Sequence, residues 1–109
     1  MRQAAVYRNQ ELAGYLTEKT TQHYIFRYDE GWLVDAQKPA ISLTLPKRQA
    51  PYESNQLFPF FANLLSEGVN RRLQSTQLHI DENDSFGLLL ATARYDTIGP
   101  ITVQPLIAP

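Results

Sequence analysis

Cysteine is absent from this 109-residue chain. A disulfide scaffold, a thiolate metal site and a cysteine nucleophile are thereby excluded. Charge of one sign is also missing. Ten basic and eleven acidic residues leave a formal net charge of −1. Nothing here builds the basic field that draws a protein to nucleic acid, so no direct nucleic-acid partner is expected. The longest basic clusters are the pairs Lys47-Arg48 and Arg71-Arg72. No run approaches the ~18 apolar residues of a membrane helix, and Met1 to Arg8 holds no apolar stretch long enough for a signal peptide. A cytoplasmic location without a membrane partner is the expectation. The five glycines are scattered singly, which leaves no glycine-rich phosphate loop.

What is present suits one globular domain over residues 1–109. Hydrophobic content is 43% and charged content 19%, enough to bury one modest core. Six of the twelve aromatic residues are tyrosines, which pack a ring while keeping the hydroxyl wet.

Residues 3–8 and 11–17 read as a hairpin about Asn9-Gln10. Asn tolerates the left-handed backbone of a tight turn, whereas Gln is a poor second residue. Gly14, inside the second strand, signals a bulge or a close backbone approach. In residues 22–28, Tyr24, Phe26 and Tyr28 share one face, expected to meet the core. Asp29-Glu30-Gly31 breaks that strand, and Trp32 reads as a core plug. Ile41-Ser42-Leu43-Thr44-Leu45-Pro46 alternates again and reads as a fourth short strand with Ile41, Leu43 and Leu45 inward. Residues 47–54 read as a polar loop.

A helix is expected from near Asn55, with Pro59 in its first turn. Leu57, Phe61, Leu64 and Leu65 follow helical spacing and should hold it to the sheet. Phe58 and Phe60 add more apolar surface than one face needs. Gly68 should end this helix or turn the chain. A second helix over about 69–78 carries Val69, Leu73 and Leu78 on one side. A third over about 82–93 starts from an Asp81 cap and buries Phe86, Leu89, Leu90 and Ala93. Gly87 within it implies close packing. Tyr95 to Pro100 reads as a turn-rich link, and Ile101-Thr102-Val103 as a last strand. The order indicates an α+β fold: a mostly antiparallel sheet of about five short strands with three helices packed on one side.

No catalytic constellation emerges. His23 and His79 stand apart without metal-ligand spacing. Asp81-Glu82-Asn83-Asp84 lacks the glycine and distal glutamate of a calcium loop. Ser66 has no adjacent histidine and no strained nucleophile motif. By elimination the chain reads as a binding or regulatory module rather than an enzyme, with no cofactor or metal.

Several phrases carry a family resemblance. They are Val6 to Gly14, Phe26 to Leu33, Ile41 to Pro46, Asp84 to Leu89 and Asp96 to Ile101. The most specific is Phe60-Phe61-Ala62-Asn63-Leu64-Leu65-Ser66-Glu67-Gly68. In order and spacing the chain resembles the N-terminal subdomain 1 of HipA-type serine/threonine kinase toxins. Ser66 stands where the family usually has proline. None of the family's ATP-binding or catalytic motifs occurs, so the resemblance does not extend to the kinase. Ending in a Pro-rich tail, the chain resembles the free-standing HipS antitoxins of tripartite HipBST toxin–antitoxin systems more than a fragment of HipA. That resemblance implies a role as an antitoxin that binds and inhibits a HipT-like serine/threonine kinase, alongside a HipB-like DNA-binding protein. The alternative it leaves is a non-inhibitory structural subdomain of a HipA-type kinase toxin, supporting assembly with HipB. For the antitoxin role, the expected kinase-binding residues are Ser66, Glu67, Gly68, Val69, Asn70, Arg71 and Arg72. They form the corner after the Phe-rich helix.

Overall fold

The computed structural model describes residues 1–65, 68–93 and 100–106. The strands are β1 (Arg2–Arg8), β2 (Glu11–Thr20), β3 (His23–Tyr28), β4 (Tyr52–Ser54) and β5 (Ile101–Leu106). The helices are α1 (Glu30–Val34), α2 (Pro59–Ala62), α3 (Gly68–Leu78) and α4 (Ser85–Thr92). The strands form one five-stranded sheet in the order β4-β3-β2-β1-β5, with every neighbouring pair antiparallel. The α+β class and the antiparallel sheet are as the sequence implies.

Alternation selects the covered face. Val6, Leu16, Phe26 and Val103 point into one cluster and are fully buried. Trp32, Phe61, Phe86, Leu88 and Leu89 close over them from the helices. Phe26 sits at the centre, 5.0 Å from the Tyr28 ring and 5.6 Å from the Phe61 ring. Tyr24 and Tyr28 flank it on the same strand face, as the alternation predicts.

Both halves of the Gly14 reading hold. The register with β1 shifts there, Val6 facing Gly14 while Tyr7 faces Leu12. A Cβ on Gly14 would also lie 2.5 Å from the Arg27 carbonyl oxygen and 2.8 Å from the Phe26 ring. The β1–β2 turn puts Asn9 at φ 50° and Gln10 at φ 69°, both left-handed, as a two-residue type I′ loop demands. Glutamine bears the strain of that conformation. Gln10→Gly is expected to stabilise the fold by about 0.5–1 kcal/mol, the relief exceeding glycine's greater unfolded-state entropy. Chemical denaturation checks this, with a higher midpoint as the expected result.

Four expectations fail. Residues 41–46 are not a strand. The chain reverses between Ser42 and Leu45, joined by one isolated bridge, so Ile41 and Leu45 are buried while Leu43 is 99% exposed. The fourth strand is instead Tyr52–Ser54, inside the stretch read as polar loop. The Phe-rich helix starts at Pro59 rather than near Asn55. The cap of α4 is Asp84 and not Asp81, its carboxylate accepting from the Gly87 amide at 3.0 Å. Asp81 instead closes a small turn onto the Asn83 amide. A further helix, α1, arises because Asp29 caps it, accepting from the Gly31 amide and from the Tyr15 hydroxyl.

Candidate partner-binding surface

Helix α3 is anchored by polar groups. Arg71, Gln74 and Ser75 are its half-buried described positions, and their i, i+3, i+4 spacing places them on one face. Arg71 donates from Nε to the Glu82 carbonyl at 2.9 Å and from Nη2 to the Ser85 hydroxyl at 2.9 Å. It thereby ties α3 to the start of α4. Ser75 donates to the Ile80 carbonyl. The helix then closes with His79 at φ 56° and the Ile80 amide donating to the Ser75 carbonyl at 3.1 Å. This left-handed C-terminal cap satisfies carbonyls that a helix end leaves open.

Leu73 and Leu78 of α3 point outward. Leu73 is 54% exposed and Leu78 42%, alongside exposed Asn70, Arg72, Thr76 and Gln77. A surface helix ordinarily turns its apolar stripe inward. Here the polar face packs and the leucines meet solvent.

Of the residues expected to bind a kinase, Ser66 and Glu67 lie outside the described residues. Gly68 and Val69 form the first turn of α3. Asn70 is exposed. Arg72 is largely exposed, its Nε 3.7 Å from the Glu82 carboxylate, a surface pair that contributes little. Arg71 is half-buried, and its guanidinium bonds to Glu82 and Ser85 within the domain. The sequence places Leu73 and Leu78 on one side of the helix without fixing their burial, and the structure exposes both. The sequence signal for that exposure was present: α3 has no further leucine, isoleucine or aromatic residue to make a buried stripe.

A polar network joins the sheet to α4. Arg2 donates to both Asp84 carboxylate oxygens at 2.8 and 3.0 Å and to Glu18 at 2.8 Å. The Tyr24 hydroxyl donates to the other Glu18 oxygen at 3.1 Å. Hydrogen bonding from Arg2 pushes the Asp84 carboxyl below its ordinary value of 3.8, against an opposing effect of burial, with the Gly87 amide assisting. Burial, then the bond to Glu18, raises the Tyr24 hydroxyl. Gly87 makes room for this pair, since a Cβ there would lie 2.3 Å from Asp84 Oδ2 and 3.1 Å from Arg2 Nη1. Every member is satisfied by another, so the network reads as a clasp rather than a binding site. Among the described residues no group of His, Asp or Glu side chains could hold a metal ion. No described helix is long and apolar enough to cross a membrane.

The architecture matches a solved structure end to end. The N-terminal domain of HipA toxin superposes with a TM-score of 0.74 at 30% identity, covering 100% of this chain and 96% of that one. Over residues 4–104 the sequence matches the HipA N-terminal domain family, and the chain belongs to it. Among curated relatives, an uncharacterized protein of Haemophilus influenzae is 36% identical over 70 residues, which are 64% of this chain and 65% of that protein. The putative kinase Y4mE of Sinorhizobium fredii is 32% identical over 78 residues, which are 72% of this chain and 19% of the kinase. The putative kinase Y4dM of the same organism is 31% identical over 97 residues, 83% of this chain and 23% of the kinase. The chain thus spans about two thirds of the first relative and about a fifth of each kinase. What matches is the N-terminal domain and not a kinase domain.

Proposed function

We propose that this protein is an antitoxin of the HipS type, binding a HipT-like serine/threonine kinase and inhibiting it. The partner docks on α3 and on residues 66 and 67, which precede it in the chain. The observation that carries this reading is the outward leucines of α3, with Leu73 54% exposed, in a domain of the HipA N-terminal family. An apolar side chain held out on a helix whose polar face is already packed suits burial against a protein partner. Asn70 and Arg72 supply a polar rim beside it. A HipB-like DNA-binding protein completes the proposed assembly.

Growth tests the reading in cells. Expression of the cognate kinase should arrest growth, and co-expression of this protein should restore it. Leu73→Asp should abolish rescue while leaving the melting temperature within about 1–2 °C, because exposed substitutions away from packed features cost little. Persistent arrest with the wild-type protein at excess would exclude inhibition. A ternary complex with a HipB-like protein that retains full kinase activity would favour the non-inhibitory assembly role.

A further inference from the structure

We propose that the loop at residues 39–46 is a second docking element, whose Leu43 enters an apolar pocket with a carboxylate rim on the same kinase. The partner's identity rests on the kinase reading above; the geometry rests on separate residues. The loop is braced from several sides. Ile41 and Leu45 are buried anchors, 8% and 3% exposed. The Tyr28 hydroxyl accepts from the Ile41 amide at 3.1 Å and donates to the Leu45 carbonyl. Trp32 Nε1 donates to the Pro39 carbonyl at 2.8 Å. Lys47 Nζ donates to the Asp35 and Lys38 carbonyls, each at 2.8 Å. Tyr52 donates to the Pro46 carbonyl. At the tip, the Ser42 and Thr44 hydroxyls bond to each other at 2.9 Å.

These bonds satisfy backbone groups of the loop at its buried anchors, as burial requires. They do not account for a leucine at the tip. Leu43 is 99% exposed, beside an open apolar shelf formed with Pro39, Ala40, Ile41 and Pro46. A lone exposed leucine means little, but this one stands on a rigid support between exposed prolines. A knob held in place beforehand loses little conformational entropy on docking.

Charge narrows the occupant. From residue 35 to 48 the charged side chains are Asp35, Lys38, Lys47 and Arg48, three cations against one carboxylate. Lys38 pairs with Glu11. Lys47 bonds to carbonyl oxygens, and so does Arg48 through Ala50 and Pro51, which leaves their charge uncompensated by those bonds. An acidic rim complements this surface, whereas a symmetric contact between this loop and its copy would bring like charge to like.

Calorimetric titration of the purified kinase with wild-type protein, Leu43→Ala and Leu43→Glu tests the inference. Leu43→Ala should weaken binding about 10-fold and Leu43→Glu about 30-fold or more, the range of a buried interface anchor, with unchanged melting temperatures. Wild-type affinity should also fall as salt rises. Wild-type binding with no loss in Leu43→Glu would overturn this inference and leave the kinase reading standing. Absence of wild-type binding would overturn both. Self-association that Leu43→Glu abolishes would assign the loop to a second copy and overturn it as well.

Discussion

Phe26→Ala should destabilise the domain by about 3–5 kcal/mol, the range for deleting a buried aromatic ring whose cavity cannot fully collapse. The ring is fully buried. It meets Tyr28 edge-on and Phe61 at a tilt, and it lies against the one strand position, Gly14, where no side chain fits. Neighbours on three sides belong to β2, β3 and α2, so none can move inward alone. A domain of this size is held by about 5–15 kcal/mol in total. The substitution should therefore lower the melting temperature by about 12 °C or more. Denaturant unfolding followed by circular dichroism reads the loss. Leu43→Ala, at a 99% exposed position, should leave the midpoint unchanged. A loss below about 1 kcal/mol for Phe26→Ala would contradict the placement of the core.

Asp84→Ala should cost about 2 kcal/mol, by two separable routes. Roughly 1 kcal/mol comes from the lost α4 cap. A similar amount comes from the two-point contact with Arg2, discounted because the side chains are 38% and 32% exposed. Asp84→Asn keeps a cap acceptor and should lose only the second part. The sign with pH follows from the depressed Asp84 carboxyl. Its contribution is present above the unfolded value of 3.8 and is lost as pH falls through the lower folded value. The wild-type protein should lose stability across that acid range, and Asp84→Asn should show a flatter profile there. Identical acid profiles would remove Asp84 from the account.

The legible parts of the fold were those written locally. The apolar runs flanking Asn9-Gln10 indicated β1 and β2, and alternation in β3 indicated the inward face of Tyr24, Phe26 and Tyr28. Gly14 and Gly87 announced close approaches, and both occur. The misread parts depend on distant partners. Residues 41–46 alternate like a strand, yet the Tyr28 hydroxyl holds Ile41 and Leu45 together and forces a reversal between them. Tyr52–Ser54 is polar and short, and it becomes a strand only because the outer edge of β3 accepts it in register. The Arg2–Asp84 clasp joins residues 82 positions apart, beyond any local pattern. Asp81 and Asp84 are equally good caps by type, and the Gly87 spacing decided between them. At the candidate surface the sequence placed α3 and its exposed Asn70 and Arg72. The bonds of Arg71 to Glu82 and Ser85 were not legible, because those partners lie across a turn.

The placement of α3 ties the fold to the proposed role. Arg71 fixes the helix from its polar side, which leaves Leu73 and Leu78 available to a partner. The Leu43 loop offers a second contact on other residues. Binding at either surface would still leave inhibition of the kinase to be measured.

Inhibition is tested most directly by titrating this protein into the purified HipT-like kinase and measuring phosphate transfer from labelled ATP. The account predicts that transfer falls to background near a one-to-one ratio, and that Leu73→Asp leaves it unaffected. Undiminished transfer at saturating wild-type protein would contradict it.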